Sequence, residues 1–204
     1  MKLLIISDVH SDYCAAESIY HLEKPNYVLD CGDHEELKNS FEMVPHFYIH
    51  GNHEPQNIIT PRDGMPLPHH VPRGKIITLP CEDKLIRVAG LDGNYSSPEK
   101  VHSITAHDLE GLSLIPEKGL DILLTHESPL LVSDNFKYKE LAERVIAEIE
   151  RIKPRYVFSG HIGRYDTLTT PKGIINIIVD DLKKGYCVVD TETFQIERKQ
   201  LRFN

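Results

Sequence analysis

Five short segments of this chain end in residues that can bind a metal ion. Asp8-Val9-His10, Gly32-Asp33, Gly51-Asn52-His53-Glu54, Thr125-His126 and Gly160-His161 offer carboxylate and amide oxygens together with imidazole nitrogens. A mixed oxygen and imidazole donor set suits a divalent transition metal. No cysteine belongs to the set, which argues against a structural zinc site. Taken singly, each residue has a simpler explanation. Asp8 can cap a helix, Asp33 can sit in a turn, and Asn52 after Gly51 is a good left-handed turn former. A lone histidine at a strand end is usually a satisfied core or surface group. What carries weight is that all five segments bring donor types at once.

The elements that must position these donors follow from the hydrophobic pattern. Each segment comes directly after a short apolar run: Leu3 to Ile6, Tyr27 to Leu29, Phe47 to Ile49, Ile122 to Leu124 and Tyr156 to Phe158. Continuous runs of this length predict strands buried on both faces. Residues 12–24 put Ala15, Ile19 and Leu22 on one stripe, with Ser11 or Asp12 as N-cap. Residues 135–153 carry Leu141, Val145, Ile149 and Ile152 on a stripe that Pro154 closes. A shorter helix follows Thr105. Strands alternating with helices predict an α/β fold, in which ligands bind beyond the carboxyl ends of the strands. The runs flanking Pro80-Cys81-Glu82-Asp83 predict a hairpin, and three more runs within 166–199 predict a C-terminal antiparallel meander. Pairing is therefore mixed, in two packed sheets. Residues 55–73, with five prolines, and 92–104 read as long loops.

The 204 residues suit a single domain, 1–204, large enough to bury about 70% of its unfolded surface. A composition of 40% hydrophobic and 26% charged residues excludes disorder and coiled coil. Lys and Arg number 23 against 31 Asp and Glu, a net charge of −8, which disfavours a general nucleic-acid coat. A local phosphate site stays compatible with that balance, because a bound metal supplies positive charge. The scattered Cys14, Cys31, Cys81 and Cys187 read as reduced thiols of a cytoplasmic protein. Leu3 to Ile6 is too short for a signal peptide, and no apolar run nears the ~18 residues of a membrane span. The oligomeric state is not readable.

In order, Asp8-Val9-His10, Gly32-Asp33, Gly51-Asn52-His53-Glu54, His126 and Gly160-His161 resemble the motifs of the calcineurin-like metallophosphoesterases, from residue 1 to about 163. The resemblance implies an α/β sandwich of two packed mixed β-sheets flanked by helices, which agrees with the pattern above. It implies a metal-dependent phosphoesterase hydrolysing phosphodiester or phosphomonoester bonds by a metal-activated hydroxide. Two divalent ions are implied, with manganese expected and iron, zinc, nickel or cobalt as alternatives. By the same resemblance Asp8 and His10 bind the first metal and Asp33 bridges both. Asn52, His126 and His161 bind the second. His53 faces substrate as general acid or phosphate contact. Two dications about 3.5–4 Å apart repel, so a bridging carboxylate between them has a physical reason.

One position departs from the family. Its last motif is usually Gly-His-x-His, and here it reads Gly160-His161-Ile162-Gly163. Glycine cannot coordinate, so the first site is expected to be weak. Arg164 is a candidate phosphate contact, with a solvated charge as its alternative. Asp166, His34, the pair His69 and His70, and Tyr95 are supporting candidates, each with an ordinary loop or surface role as alternative. Stretches 32–39, 88–95 and 153–159 also resemble the RNA-lariat debranching branch. That branch carries cysteine in place of Asp8 and keeps the histidine replaced by Gly163, so its activity does not transfer directly. The expected partner is a phosphate ester and not a membrane. The alternatives are a nuclease or RNA-processing phosphodiesterase of the same family, and a non-catalytic scaffold on this fold.

Overall fold

A computed structural model describes residues 1–35, 44–55, 69–71, 73–97 and 100–201. The chain runs β1 (Lys2–Ile6), α1 (Tyr13–Glu23), β2 (Tyr27–Asp30), β3 (His46–Tyr48), β4 (Ile76–Cys81), β5 (Lys84–Leu91) and α2 (Ala106–Ser113). It continues through β6 (Ile122–Thr125), α3 (Pro129–Val132), α4 (Lys139–Ile152), β7 (Tyr156–Ser159), β8 (Asp166–Thr169), β9 (Ile175–Ile178), β10 (Gly185–Asp190) and β11 (Ile196–Gln200). The strands form a five-stranded sheet, β11-β10-β1-β2-β3, and a six-stranded sheet, β4-β5-β6-β7-β9-β8. The centre of each is parallel: β1, β2 and β3 in one, β5, β6, β7 and β9 in the other. Antiparallel strands close both edges of the second sheet and the β11 edge of the first, whose other edge is the parallel strand β3.

Period-two side-chain alternation explains the layering. Leu3 and Ile5 of β1 face the other sheet, where they join Leu29, Ile122, Leu124, Phe158 and Val189 in one buried core. Leu4 and Ile6 point the other way and pack with Val28 under Ala15, Ala16 and Ile19 of α1. On the far side of the second sheet, Leu123 and Val157 meet Leu109 and Leu112 of α2 and Val145 and Ile149 of α4. Strands buried on both faces are apolar throughout, which is why their runs are continuous in the sequence. This is the mixed α/β sandwich expected from the sequence.

The helices differ from expectation in informative ways. Asp12 caps α1 by accepting from the Ala15 N–H, and Lys24 ends it in a left-handed conformation. Leu22, expected on the apolar stripe, is exposed, and the fourth buried position is Glu23. The Glu23 carboxylate accepts from Tyr186 Oη at 2.9 Å and pairs with Lys199 Nζ at 2.8 Å. The helix expected from 135 begins at Lys139. Asn135 instead makes a turn, its side chain accepting from Lys137 N–H and its carbonyl from Tyr138 N–H. The C-terminal runs do not form one meander. β8 and β9 join the second sheet, while β10 crosses to pair with β1 and carries β11 into the first. The expected loop 55–73 falls mostly outside the described residues. Among the described residues, no helix is long and apolar enough to cross a membrane.

Candidate metal centre

Parallel strands deliver their carboxyl ends to one edge, so the segments after β1, β2, β6 and β7 converge there. The loops following β1 and β2 run side by side. Asp8 N–H donates to the Gly32 carbonyl at 2.9 Å, His10 N–H to that of Asp33 at 2.9 Å, and Ser11 N–H to that of His34 at 3.2 Å. Twelve described non-glycine residues have positive φ, and six of them are Asp8, His10, Ser11, Asp33, Glu35 and His161. Such conformations cost on the order of 1–3 kcal/mol each and persist where surrounding contacts over-determine them. Half of the described backbone strain of this kind is thus gathered at one place.

The two carboxylates are each anchored through one oxygen and turn the other toward an imidazole. Asp8 Oδ2 accepts from Ser7 Oγ at 2.6 Å and His161 N–H at 2.9 Å, and its Oδ1 faces His10 Nε2 at 3.9 Å. Asp33 Oδ1 accepts from the N–H groups of Asn52 and His53 at 2.7 and 2.9 Å, and its Oδ2 lies 3.4 Å from His126 Nε2. Close approach demands glycine. A Cβ on Gly51 would run into Asp33 Oδ1 and come within 2.7 Å of His126 Cε1. One on Gly160 would run into Ser7 Oγ and lie 2.6 Å from Asp8 Oδ2.

The donor chemistry fits cations. His126 Nδ1 is 2.8 Å from the Cys31 carbonyl oxygen, which only accepts, so this nitrogen carries the hydrogen. The lone pair on Nε2 then faces Asn52 Oδ1 at 3.0 Å, His161 Nδ1 at 3.2 Å and Asp33 Oδ2 at 3.4 Å. Four acceptors pointed at one space need a cation or a shared proton between them. The proton preference is visible: burial opposes charge on His126, yet Asp33 and Asp8 together lift it to about 9. Among the described residues five groups have donor atoms all within 4.8 Å of one another; two of them, Asp8/His10/Asp33 and Asp33/His126/His161, lie here and have Asp33 in common.

Two of the three imidazoles also hydrogen-bond an oxygen through their other nitrogen, the arrangement that orients metal-binding histidines, and the third has a carboxylate at ion-pair distance. His126 uses Cys31, His10 Nδ1 meets Glu35 Oε1 at 2.9 Å, and His161 Nε2 is 3.7 Å from Glu127 Oε1. Glu54, in the Gly51-Asn52-His53-Glu54 turn, is buried and accepts from the N–H groups of Asp33, His34 and Gly51 at 2.7, 3.0 and 2.8 Å. His34 lies between Glu54 and Asp30, at 3.2 and 2.8 Å. Burial opposes its charge, but the two carboxylates raise it to about 10. This imidazolium fastens the Asp33 loop to the end of β2.

Asp8, His10, Asp33, Asn52, His126 and His161 therefore lie together. His53 is exposed at the rim, its ring centroid 5.2 Å from that of His10. Gly163 has φ 60°, and its carbonyl accepts from Lys184 Nζ at 2.6 Å. Arg164 is exposed beside the adjoining cleft. His70 is drawn away onto Asp92 at 3.0 Å, and Asp166 opens β8. Sequence reasoning misses Glu35 and Glu127 entirely. Their signal is adjacency, Glu127 following His126 and Glu35 standing two residues after Asp33.

A model of the calcineurin-like phosphoesterase superfamily domain matches residues 1–177. Among solved structures, TT1561 of Thermus thermophilus is similar with TM-score 0.67 and 15% identity, over 98% of this chain and 99% of that one. A dimetal phosphatase from Danio rerio gives 0.60 and 11%, over 98% of each chain. A novel archaeal phosphodiesterase gives 0.53 and 13%, over 98% of this chain and 100% of that one. At these identities the likeness is one of fold. No curated protein matches the sequence.

Proposed function

The chain belongs to the calcineurin-like phosphoesterase superfamily, and from that premise we propose that it is a metal-dependent phosphoesterase with a dinuclear centre, built as one domain over 1–204 and working in the cytoplasm. Asp8, His10 and Asp33 hold the first ion, and Asp33, Asn52, His126 and His161 hold the second, with manganese as the assigned metal. The supporting observation is that Asp33 is shared by two donor groups, each with atoms within 4.8 Å. Bound dications supply Lewis-acid polarisation of a phosphoryl group and an acidified water.

The chain's own residues do the rest. The N–H groups of Asn52 and His53 fix the Asp33 carboxylate, so that it can serve both sites without moving. Glu35 orients His10 through a 2.9 Å hydrogen bond, and Glu127 stands as a charge partner 3.7 Å from His161. His53, at the rim, gives a proton to the leaving oxygen as its bond to phosphorus breaks, while a water oxygen bonds to phosphorus in its place and releases a proton to solvent. Arg164 contacts a substrate phosphate oxygen.

The test is to strip the protein, load it with Mn²⁺, count ions per chain by elemental analysis and assay 4-nitrophenyl phosphate esters. Two ions and turnover are expected. Asp33→Asn lowers the count and abolishes hydrolysis. His53→Ala keeps the count and lowers kcat by about 10²–10⁴-fold. Two ions without turnover of any ester would make the chain a scaffold on this fold, and no ions would overturn the metal reading.

A further inference from the structure

A second set of donors lies outside the centre, where the end of β2 meets the edge strand β3. Leu29 and Phe47 pack toward the core between the sheets, so period-two alternation turns Asp30, His46 and Tyr48 to the other face. His34, four residues after Asp30, brings its ring to the same place. Asp30 Oδ2 lies 2.8 Å from His34 Nε2 and 3.2 Å from His46 Nε2, and the three donor atoms fall within 4.8 Å of one another. None of the three residues belongs to the two donor groups that share Asp33.

These atoms are placed as ligands around an ion rather than as partners in a hydrogen bond. His34 Nε2 is buried and has no hydrogen-bond partner, although Asp30 Oδ2 is only 2.8 Å away. The distance suits a hydrogen bond, so it is the direction that misses: the in-plane axis of Nε2 passes the oxygen by. Donors about 2.0–2.2 Å from a tetrahedral ion stand roughly 3.3 Å from one another, close to the spacing at Asp30. The far side of each ligand is held. Asp30 Oδ1 accepts from Gly32 N–H at 3.0 Å, and Glu54 Oε1 stands 3.2 Å from His34 Nδ1, the carboxylate-behind-imidazole arrangement of metal-binding histidines. Asp30 is fully buried, and among the described residues no lysine or arginine pairs with it. A neighbouring cluster shows the alternative. The Tyr48 ring is 5.1 Å from that of His34 and 5.8 Å from that of His50, and His50, His70 and Asp92 also bring donors within 4.8 Å. There Arg73 Nε sits 3.0 Å from Asp92 Oδ2 and already fills the cation's role.

We propose that Asp30, His34 and His46 bind a divalent ion of the zinc class, outside the dinuclear centre, with a fourth position open to water. Two imidazoles and one carboxylate favour zinc over manganese, in donor type and in order of affinity. On binding, the ion takes the lone pair of His34 Nε2, and the proton that this nitrogen carries in the metal-free protein leaves to solvent. The Nδ1 hydrogen stays on Glu54. The ion enters from the β3 edge, where the His46 side chain is 16% exposed against 4% for His34 and 0% for Asp30. Once bound, it ties the loop that carries Asp33 to β3. The site requires neither hydrolysis nor an occupied centre.

The test counts Zn²⁺ per chain by elemental analysis after stripping, zinc loading and desalting. Asp33→Asn is compared with Asp33→Asn/His46→Phe, because Asp33 is common to both groups of the centre and its loss weakens that centre equally in the two. Phenylalanine keeps a ring beside His34 and Tyr48, whose centroids lie 5.6 and 5.9 Å from that of His46, and removes the donor. The single variant is expected to hold one more ion per chain than the double, and zinc should raise its Tm by more. Equal counts overturn the proposal. If the double variant does not fold, ¹⁵N spectra of Asp33→Asn decide. Zinc should shift the ring nitrogens of His34 and His46 together, and unmoved resonances overturn the proposal. Either failure leaves the reading of the centre standing, because manganese loading of the wild-type chain tests that separately.

Discussion

In the proposed first metal site, one position supplies no donor where the resembling family has a histidine. Gly163 offers no donor, and the support for the proposed site comes from the contacts around His10. Glu35 holds His10 Nδ1 at 2.9 Å and Ser11 Oγ at 3.2 Å, from a backbone at φ 66°. A carboxylate behind a metal-binding imidazole typically contributes about 10–100-fold in affinity. Glu35→Ala should therefore weaken the first ion by that factor and spare the second, in a chelator-competition titration. Gly163→His should strengthen the first ion. A Cβ there meets nothing closer than Lys184 Nζ at 3.5 Å, so the site has room. The cost is backbone strain, since φ is 60° and an L-residue there loses roughly 1–2 kcal/mol. An unchanged first-ion affinity in Gly163→His would make the missing ligand irrelevant.

Among the elements, loops rather than strands carry the chemistry, and the strands only aim them. The loops after β1 and β2 are joined by three backbone hydrogen bonds, which offset positive φ angles on both sides. The third loop enters by closest approach at Gly51. Gly51→Ala should displace Asp33 or His126 and cost more than tenfold in metal affinity for both ions, because Asp33 belongs to both donor groups. Its far-UV circular dichroism should match wild type, since the core residues of β1, β2 and β3 are untouched. Retention of both ions at native affinity would mean the loop relaxes freely, and the close packing would not matter.

At the scale of the whole molecule, a buried carboxylate ties three distant segments together. Asp92, just past β5, accepts from His50 N–H at 2.7 Å, meets His70 Nε2 at 3.0 Å and accepts from Arg73 Nε at 3.0 Å. Arg73 also donates to Asp108 of α2 at 2.7 Å. Burial alone would raise the Asp92 pKa, but His70, His50 and Arg73 outweigh it and bring it from 3.8 to about 2. A depressed carboxylate stabilises the fold above its unfolded pKa and loses that contribution as pH falls through its folded one. The contribution is about 2 kcal/mol, present above pH ~4 and lost between pH ~4 and ~2. Calorimetric unfolding from pH 7 down to 2 should show Asp92→Asn less stable than wild type at pH 7, with the gap narrowing below pH ~4. A gap independent of pH would mean that shape, and not charge, is what Asp92 supplies.

Much of this protein is legible along the chain. Apolar runs such as Leu3 to Ile6 are strands because residues buried on both faces must be apolar throughout, and the donors that end them fall at one sheet edge because the runs are parallel. Asp8, His10, Asp33, Asn52, His126 and His161 can be singled out for that reason. Periodicity misjudges the start of α4 because Asn135 satisfies local N–H groups in a turn, a choice that the apolar stripe does not register. It places the C-terminal strands in one meander because alternation says which face a residue takes but not which sheet its strand joins. No local pattern marks Glu23 or Asp92 as buried, yet both are. Distant partners such as Lys199, Tyr186, His70 and Arg73, each 19 or more residues from the acid it meets, make that burial tolerable. Glu35 and Glu127 escape notice for the same reason: a carboxylate becomes part of a metal site only when folding turns it toward an imidazole. Local pattern determined the elements and the donor types, because both depend on near neighbours. Which donors share an ion, which acids are buried and where the cleft opens depend on long-range contacts, and these only the tertiary structure decided.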